Sequence, residues 1–101
     1  MKVLKGILSE SKEFYLDARN KIEQRIRELA KGSIKQREIS GKKYYYLQQR
    51  IGKKVIHKYC GKNKPESLLK QIQEREVLKK ELKKVGAALR VLEKAEGASR
   101  D

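Results

Sequence analysis

The sequence predicts an α+β fold in the order α-β-β-β-α, a three-stranded antiparallel meander packed with an N-terminal helix and a long C-terminal helix. Three observations predict it. Apolar residues recur at spacings of three and four in both flanks of the chain. Residues 33–60 instead favour β-formers and are divided by glycine turns. The length of 101 residues suits a single domain over 1–101 with a thin core, and no internal repeat argues otherwise. Charged residues (40%) outnumber apolar ones (38%), which is polar for a globule, yet the regular aliphatic spacing argues against a disordered chain.

The first helix is expected over 9–30, where Tyr15, Ala18, Ile22, Ile26 and Leu29 share a face. Ser9 or Ser11 would cap its start, Lys31 would suit its dipole, and Gly32 would stop it. Three strands are expected at 33–39, 43–50 and 54–60, with turns at Ser40-Gly41 and Ile51-Gly52. If Ile51-Gly52 is the turn, Arg50 lies opposite Lys53, Gln48 opposite Val55, Tyr46 opposite His57 and Tyr44 opposite Tyr59. On the other face Leu47 would meet Ile56 and Tyr45 would meet Lys58, making a core with Ile34 or Ile39.

Residues 61–64 read as a loop. Pro65 then sits near a helix start, where its missing N–H costs nothing, and a helix is expected over 65–95. The two helices are expected to pack on the sheet and on each other, antiparallel. Leu78, Leu82, Val85, Leu89 and Leu92 step by fours and threes, a heptad seam also fit for a homodimer or another partner. Leu68 and Ile72 extend the seam with a phase slip, because Gln71 and Arg75 occupy the expected positions. Gly86 weakens the middle of the helix by about 1 kcal/mol relative to Ala. The tail 97–101 is expected to fray.

The formal net charge is +14, which points to a polyanionic partner: DNA, RNA, an acidic protein or an anionic membrane. Residues 31–64 hold eleven Lys and Arg against one acid, Glu38, while both flanks are nearly balanced. Two or three lysines would guard the sheet edges, so eleven leave a surplus to explain. A membrane surface fits less well, since the cations sit on strands and not along one face of an amphipathic helix.

Alternation along the middle strand sets Tyr44, Tyr46, His57 and Tyr59 together as an aromatic strip ringed by cations. Such a strip suits base stacking, yet tyrosine also favours strands and cross-strand packing, so core, binding platform and partner interface stay open. The expected nucleic-acid contacts are Lys35, Arg37, Lys42, Lys43, Arg50, Lys53, Lys54, Lys58 and Lys62 on phosphates, with Tyr44, Tyr46 and His57 on sugars or bases.

Catalytic chemistry is not expected, and neither is a cofactor. His57 and Cys60 stand alone of their kinds and lack further ligands for zinc. Gly41-Lys42 lacks the Ser or Thr and the glycine spacing of a phosphate loop. The single cysteine permits no intramolecular disulfide, and the N-terminal stretch MKVLKGILSESKEF is too broken for a signal peptide. Both fit a cytoplasmic protein.

Lys31-Gly32-Ser33, Gly41-Lys42, Tyr44-Tyr45-Tyr46-Leu47, Arg50, Gly52-Lys53 and Lys58-Tyr59 resemble the shared pattern of a group of small basic bacterial and archaeal proteins over about residues 25–95. Tyr45-x-Leu47, Gly52-Lys53, the basic return Lys54–Lys58 and Gly61 are similar to N-terminal β elements of insertion-sequence transposases. They also resemble the arm-type DNA-binding domain of tyrosine recombinases. That likeness implies DNA contact without catalysis, as the catalytic domain of those enzymes is not present here. The expectation is a small basic nucleic-acid-binding protein, DNA before RNA. The alternative is an antitoxin-like or adaptor module clasping an acidic protein through its heptad face.

Overall fold

The computed structural model describes residues 2–98 and shows α1 (Lys2–Glu28), β1 (Ser33–Ile39), β2 (Lys42–Ile51), β3 (Lys54–Gly61) and α2 (Glu66–Ala98). The α-β-β-β-α order and the meander, with sheet order β1-β2-β3, are those the sequence predicts. The chain divides into two compact units: Met1–Glu28 with Val77–Asp101, and Leu29–Glu76.

The helical unit pairs α1 with the later part of α2. Lys12 Nζ lies 3.3 Å from a Glu96 carboxylate oxygen, joining an early turn of α1 to the last turns of α2, as antiparallel helices require. Val85 and Leu89 are buried in this unit, and Leu78, Leu82 and Leu92 are half-buried beside them. The seam thus falls within an antiparallel helical pair, the packing expected of the two helices. Tyr15, Ala18, Ile22 and Ile26 form the half-buried stripe of α1.

α1 starts seven residues before the expected position 9. Ser9 and Ser11 are not caps but lie within the helix, Ser11 half-buried. Leu4, Leu8 and Ser11 continue the Tyr15 stripe backwards by the same three-and-four steps, which outweighs the small cost of Gly6. The helix also ends earlier, at Glu28, so Leu29 and Ala30 belong to the connection and not to the helix. α2 likewise extends past 95 to Ala98, so Gly97 is helical where fraying was expected. Residues 99–101 of that tail lie outside the described residues.

The sheet unit has its own small core. Leu29 and Leu47 are buried, Ile34 and Tyr45 are half-buried on the same sheet face as Leu47, and α2 offers half-buried Leu68, Leu69 and Ile72. Hydrogen bonds fix the connection from α1. The Ala30 N–H donates to Gln71 Oε1 at 3.0 Å, and Gln49 Nε2 donates to the Lys31 carbonyl at 2.8 Å. Gln71, a break in the apolar seam, is thus a polar anchor for backbone that has left the helix. Pro65 precedes α2, and its carbonyl accepts the Leu69 N–H at 3.0 Å to close the first turn.

Both hairpins have two-residue loops. Ile39 pairs with Lys42 across Ser40-Gly41, where both φ values are positive (52° and 79°), as a type I′ turn needs. Ile51 pairs with Lys54 across Gly52-Lys53, with φ +63° at Gly52, as a type II′ turn needs.

This second turn corrects the expected register by two residues. Tyr46 pairs with Tyr59, Leu47 with Lys58, Gln48 with His57, Gln49 with Ile56 and Arg50 with Val55. A bulge follows: Tyr45 pairs with Gly61, leaving Cys60 as the extra residue on β3. Two expected core residues are exposed instead. Ile56 lies near the hairpin tip beyond the start of β1, and Ile39 lies on the face opposite Leu47.

Candidate functional site

The two faces of the sheet differ in chemistry. β pairing places Ser33, Lys35, Arg37 and Ile39 of β1 on one face with Lys42, Tyr44, Tyr46, Gln48 and Arg50 of β2 and Val55, His57 and Tyr59 of β3. No residue of this face is buried. It carries no acid. Glu38, the one acid of the basic segment, sits on the other face opposite Lys43.

Seven of the twelve expected binding residues come together here: Lys35, Arg37, Lys42, Tyr44, Tyr46, Arg50 and His57. Lys43, Lys54 and Lys58 project from the Leu47 face, Lys53 occupies the hairpin turn and Lys62 follows β3.

Tyr59 is the centre of the aromatic cluster, although its expected partner was Tyr44 alone. Its ring centroid lies 5.6 Å from that of Tyr46 and 6.3 Å from that of Tyr44, with the planes tilted by 59° and 47°. Tyr44 and Tyr46 are half-buried by these contacts, whereas Tyr59 stays 59% exposed. A two-residue register shift leaves every side chain on its original face, so the strip forms despite the altered pairing.

Arg37 is held in place. Its guanidinium carbon sits 5.2 Å from the Tyr46 ring centroid, a cation–π contact worth about 0.5–1 kcal/mol at an exposed site. Among the described residues no ion pair engages Lys35, Arg37, Lys42 or Arg50, while α1 carries pairs such as Asp17–Lys21 and Arg19–Glu23. The helical charges are partly neutralised by neighbours; those of the open sheet face are left to solvent and to any ligand.

Among the described residues no group of His, Cys, Asp and Glu could hold a metal ion. No helix among them is long and apolar enough to cross a membrane.

Fold and face together define a small α+β protein built around a basic, aromatic sheet surface. The chain belongs to the DUF6788 family, a domain of unknown function, whose family model matches residues 13–71 and so spans the entire sheet. No curated protein and no solved structure matches it.

Proposed function

We propose that this protein is a non-enzymatic nucleic-acid binder that lays the open face of its sheet on a polyanionic strand, DNA before RNA. The observation that carries this reading is the sorting of charge. Lys35, Arg37, Lys42 and Arg50 share a solvent-facing surface with three tyrosines and no acid, and the sheet's one carboxylate lies on the reverse side. A surface so charged repels itself, and phosphates relieve that repulsion with release of counterions. The likeness of the β2–β3 hairpin to DNA-contacting elements of transposases and recombinases favours DNA. Lone Cys60 suits a reducing cytoplasm. The heptad face offers an acidic protein or a second copy little surface, because Val85 and Leu89 are buried within the helical unit.

The test compares charge reversals on the two faces. Affinity for a labelled oligonucleotide is measured across a salt series for Lys35→Glu with Arg37→Glu, and for Lys43→Glu with Lys58→Glu. The open-face pair is expected to lose about tenfold or more and to flatten the log–log salt slope by roughly one to two. The reverse-face pair is expected to lose less. Equal losses would mean diffuse charge attraction and would sink the assignment to this face.

A further inference from the structure

Apart from Arg50, which lies on β2 opposite Val55, the cations and rings of the open face lie in two lanes. The first lane follows β1, with Lys35 and Arg37, and ends at Lys42, which pairs with Ile39 beside the turn. The second lane runs over β2 and β3, where Tyr59 contacts both Tyr44 and Tyr46. On this face β3 presents Val55, His57 and Tyr59 and contributes neither Lys nor Arg.

A double helix is a poor match for that layout. A sheet seated in a groove is flanked by two phosphate backbones, so both outer strands need cations. Here one outer strand has them and the other does not. A duplex also stacks its bases on one another, so ring faces on the protein find no partner along its length. One unpaired strand presents what the two lanes require: a single line of phosphates, and bases free to turn sideways onto aromatic rings.

The rings share the work unequally. Tyr44 and Tyr46 are half-buried in cross-strand contacts that stabilise the sheet by themselves, and Arg37 already covers Tyr46. Tyr59 supports the same cluster yet keeps 59% of its surface exposed. That exposed ring is the surplus which sheet stability does not explain. Arg37, fixed over Tyr46 at 5.2 Å, stands at the boundary between the lanes, where a phosphate would pass.

We infer that the ligand is unpaired nucleic acid, with phosphates along Lys35, Arg37 and Lys42 and a base stacked on Tyr59. This rests on the nucleic-acid reading above and narrows it to single strands.

The experiment is fluorescence anisotropy of the full chain with labelled DNA and RNA strands of about 12 nucleotides, within the usual site sizes for such binding. A blunt duplex of the same sequence and an abasic strand with the same phosphates complete the set. The intact single strands are expected to bind about tenfold or more tightly than the duplex or the abasic strand. DNA and RNA arms show whether the sugar is read, and preference for either single strand supports the inference. Tyr59→Val, which keeps strand propensity, is expected to lose about tenfold on intact strands with little change on the abasic one, and Tyr59→Phe to retain binding. Duplex binding as tight as single-strand binding, or an abasic strand as good as an intact one, overturns the inference and leaves nucleic-acid binding standing. Both comparisons use the unaltered protein, so they hold even if Tyr59→Val does not fold. Failure to bind any of the four ligands overturns the functional reading itself.

Discussion

At Gly32 the backbone has φ +128°, and a Cβ there would collide with the carbonyl oxygen of Gln48 while crowding the Leu47 and Gln49 side chains. Strain and collision act together at the point where the chain leaves α1 for the sheet. Gly32→Ala is therefore expected to destabilise the protein by about 2 kcal/mol or more, read as a fall in the denaturation midpoint. Gly86 is the opposite case. It sits inside α2 with nothing within 4 Å of an added Cβ, and its helical backbone suits Ala. Gly86→Ala is expected to stabilise by about 0.5–1 kcal/mol in the same measurement. A destabilising Gly86→Ala would mean that the space beside it is closed in solution. The sequence alone marks both glycines, one as a helix stop and one as a weak point. The positive φ and the approach of the Gln48 carbonyl together explain why a side chain at Gly32 is expected to be disruptive.

At the scale of elements, the two helices of the first unit stand or fall on a narrow seam. Leu89 is 3% exposed whereas Val91, two residues on, is 66% exposed. Leu89→Ala is expected to cost about 2–4 kcal/mol, as a cavity in a core this small cannot be filled from elsewhere. Val91→Ala should stay within about 0.5 kcal/mol. Thermal melts followed by helical circular dichroism at two protein concentrations check both values. A midpoint that depends on concentration would show that the seam also holds a second chain. The heptad pattern made this seam readable, but a pattern of steps does not say whose helix fills it. β1 was legible to the residue because Gly32 and Ser40-Gly41 bracket it. The β2–β3 register differs from the expected one because a loop at 51–52, which a glycine in second place suggests, would put β-branched Ile51 at positive φ. A type II′ loop at 52–53, which wants glycine first, forms instead. The bulge at Cys60 left only Gly61 as a sign. The start of α1 was hidden by two serines that resemble caps. The aromatic strip remained legible through the register error, since a shift of two residues preserves faces and a shift of one would have scattered it.

For the whole molecule the decisive quantity is where charge accumulates. Residues 31–64 carry eleven basic residues and one acid, and the remaining segments are close to balance. Self-repulsion should therefore weaken the sheet unit far more than the helical one. Raising salt shortens the Debye length from about 10 Å at 0.1 M to about 3 Å at 1 M, which screens repulsion between exposed cations. The sheet is thus expected to gain thermal stability as sodium chloride rises, followed through its tyrosines, all but one of which lie on the strands. An oligonucleotide should produce the same gain at low salt by binding the folded face. At a free concentration one hundredfold above its dissociation constant it would stabilise by about 2.7 kcal/mol. The two effects should not add: at high salt the oligonucleotide has lost its counterion-release advantage, and its stabilisation should vanish. A sheet whose midpoint falls with salt would show that its cations are not in net repulsion. The charge of the sheet would then give no reason to expect a polyanionic ligand.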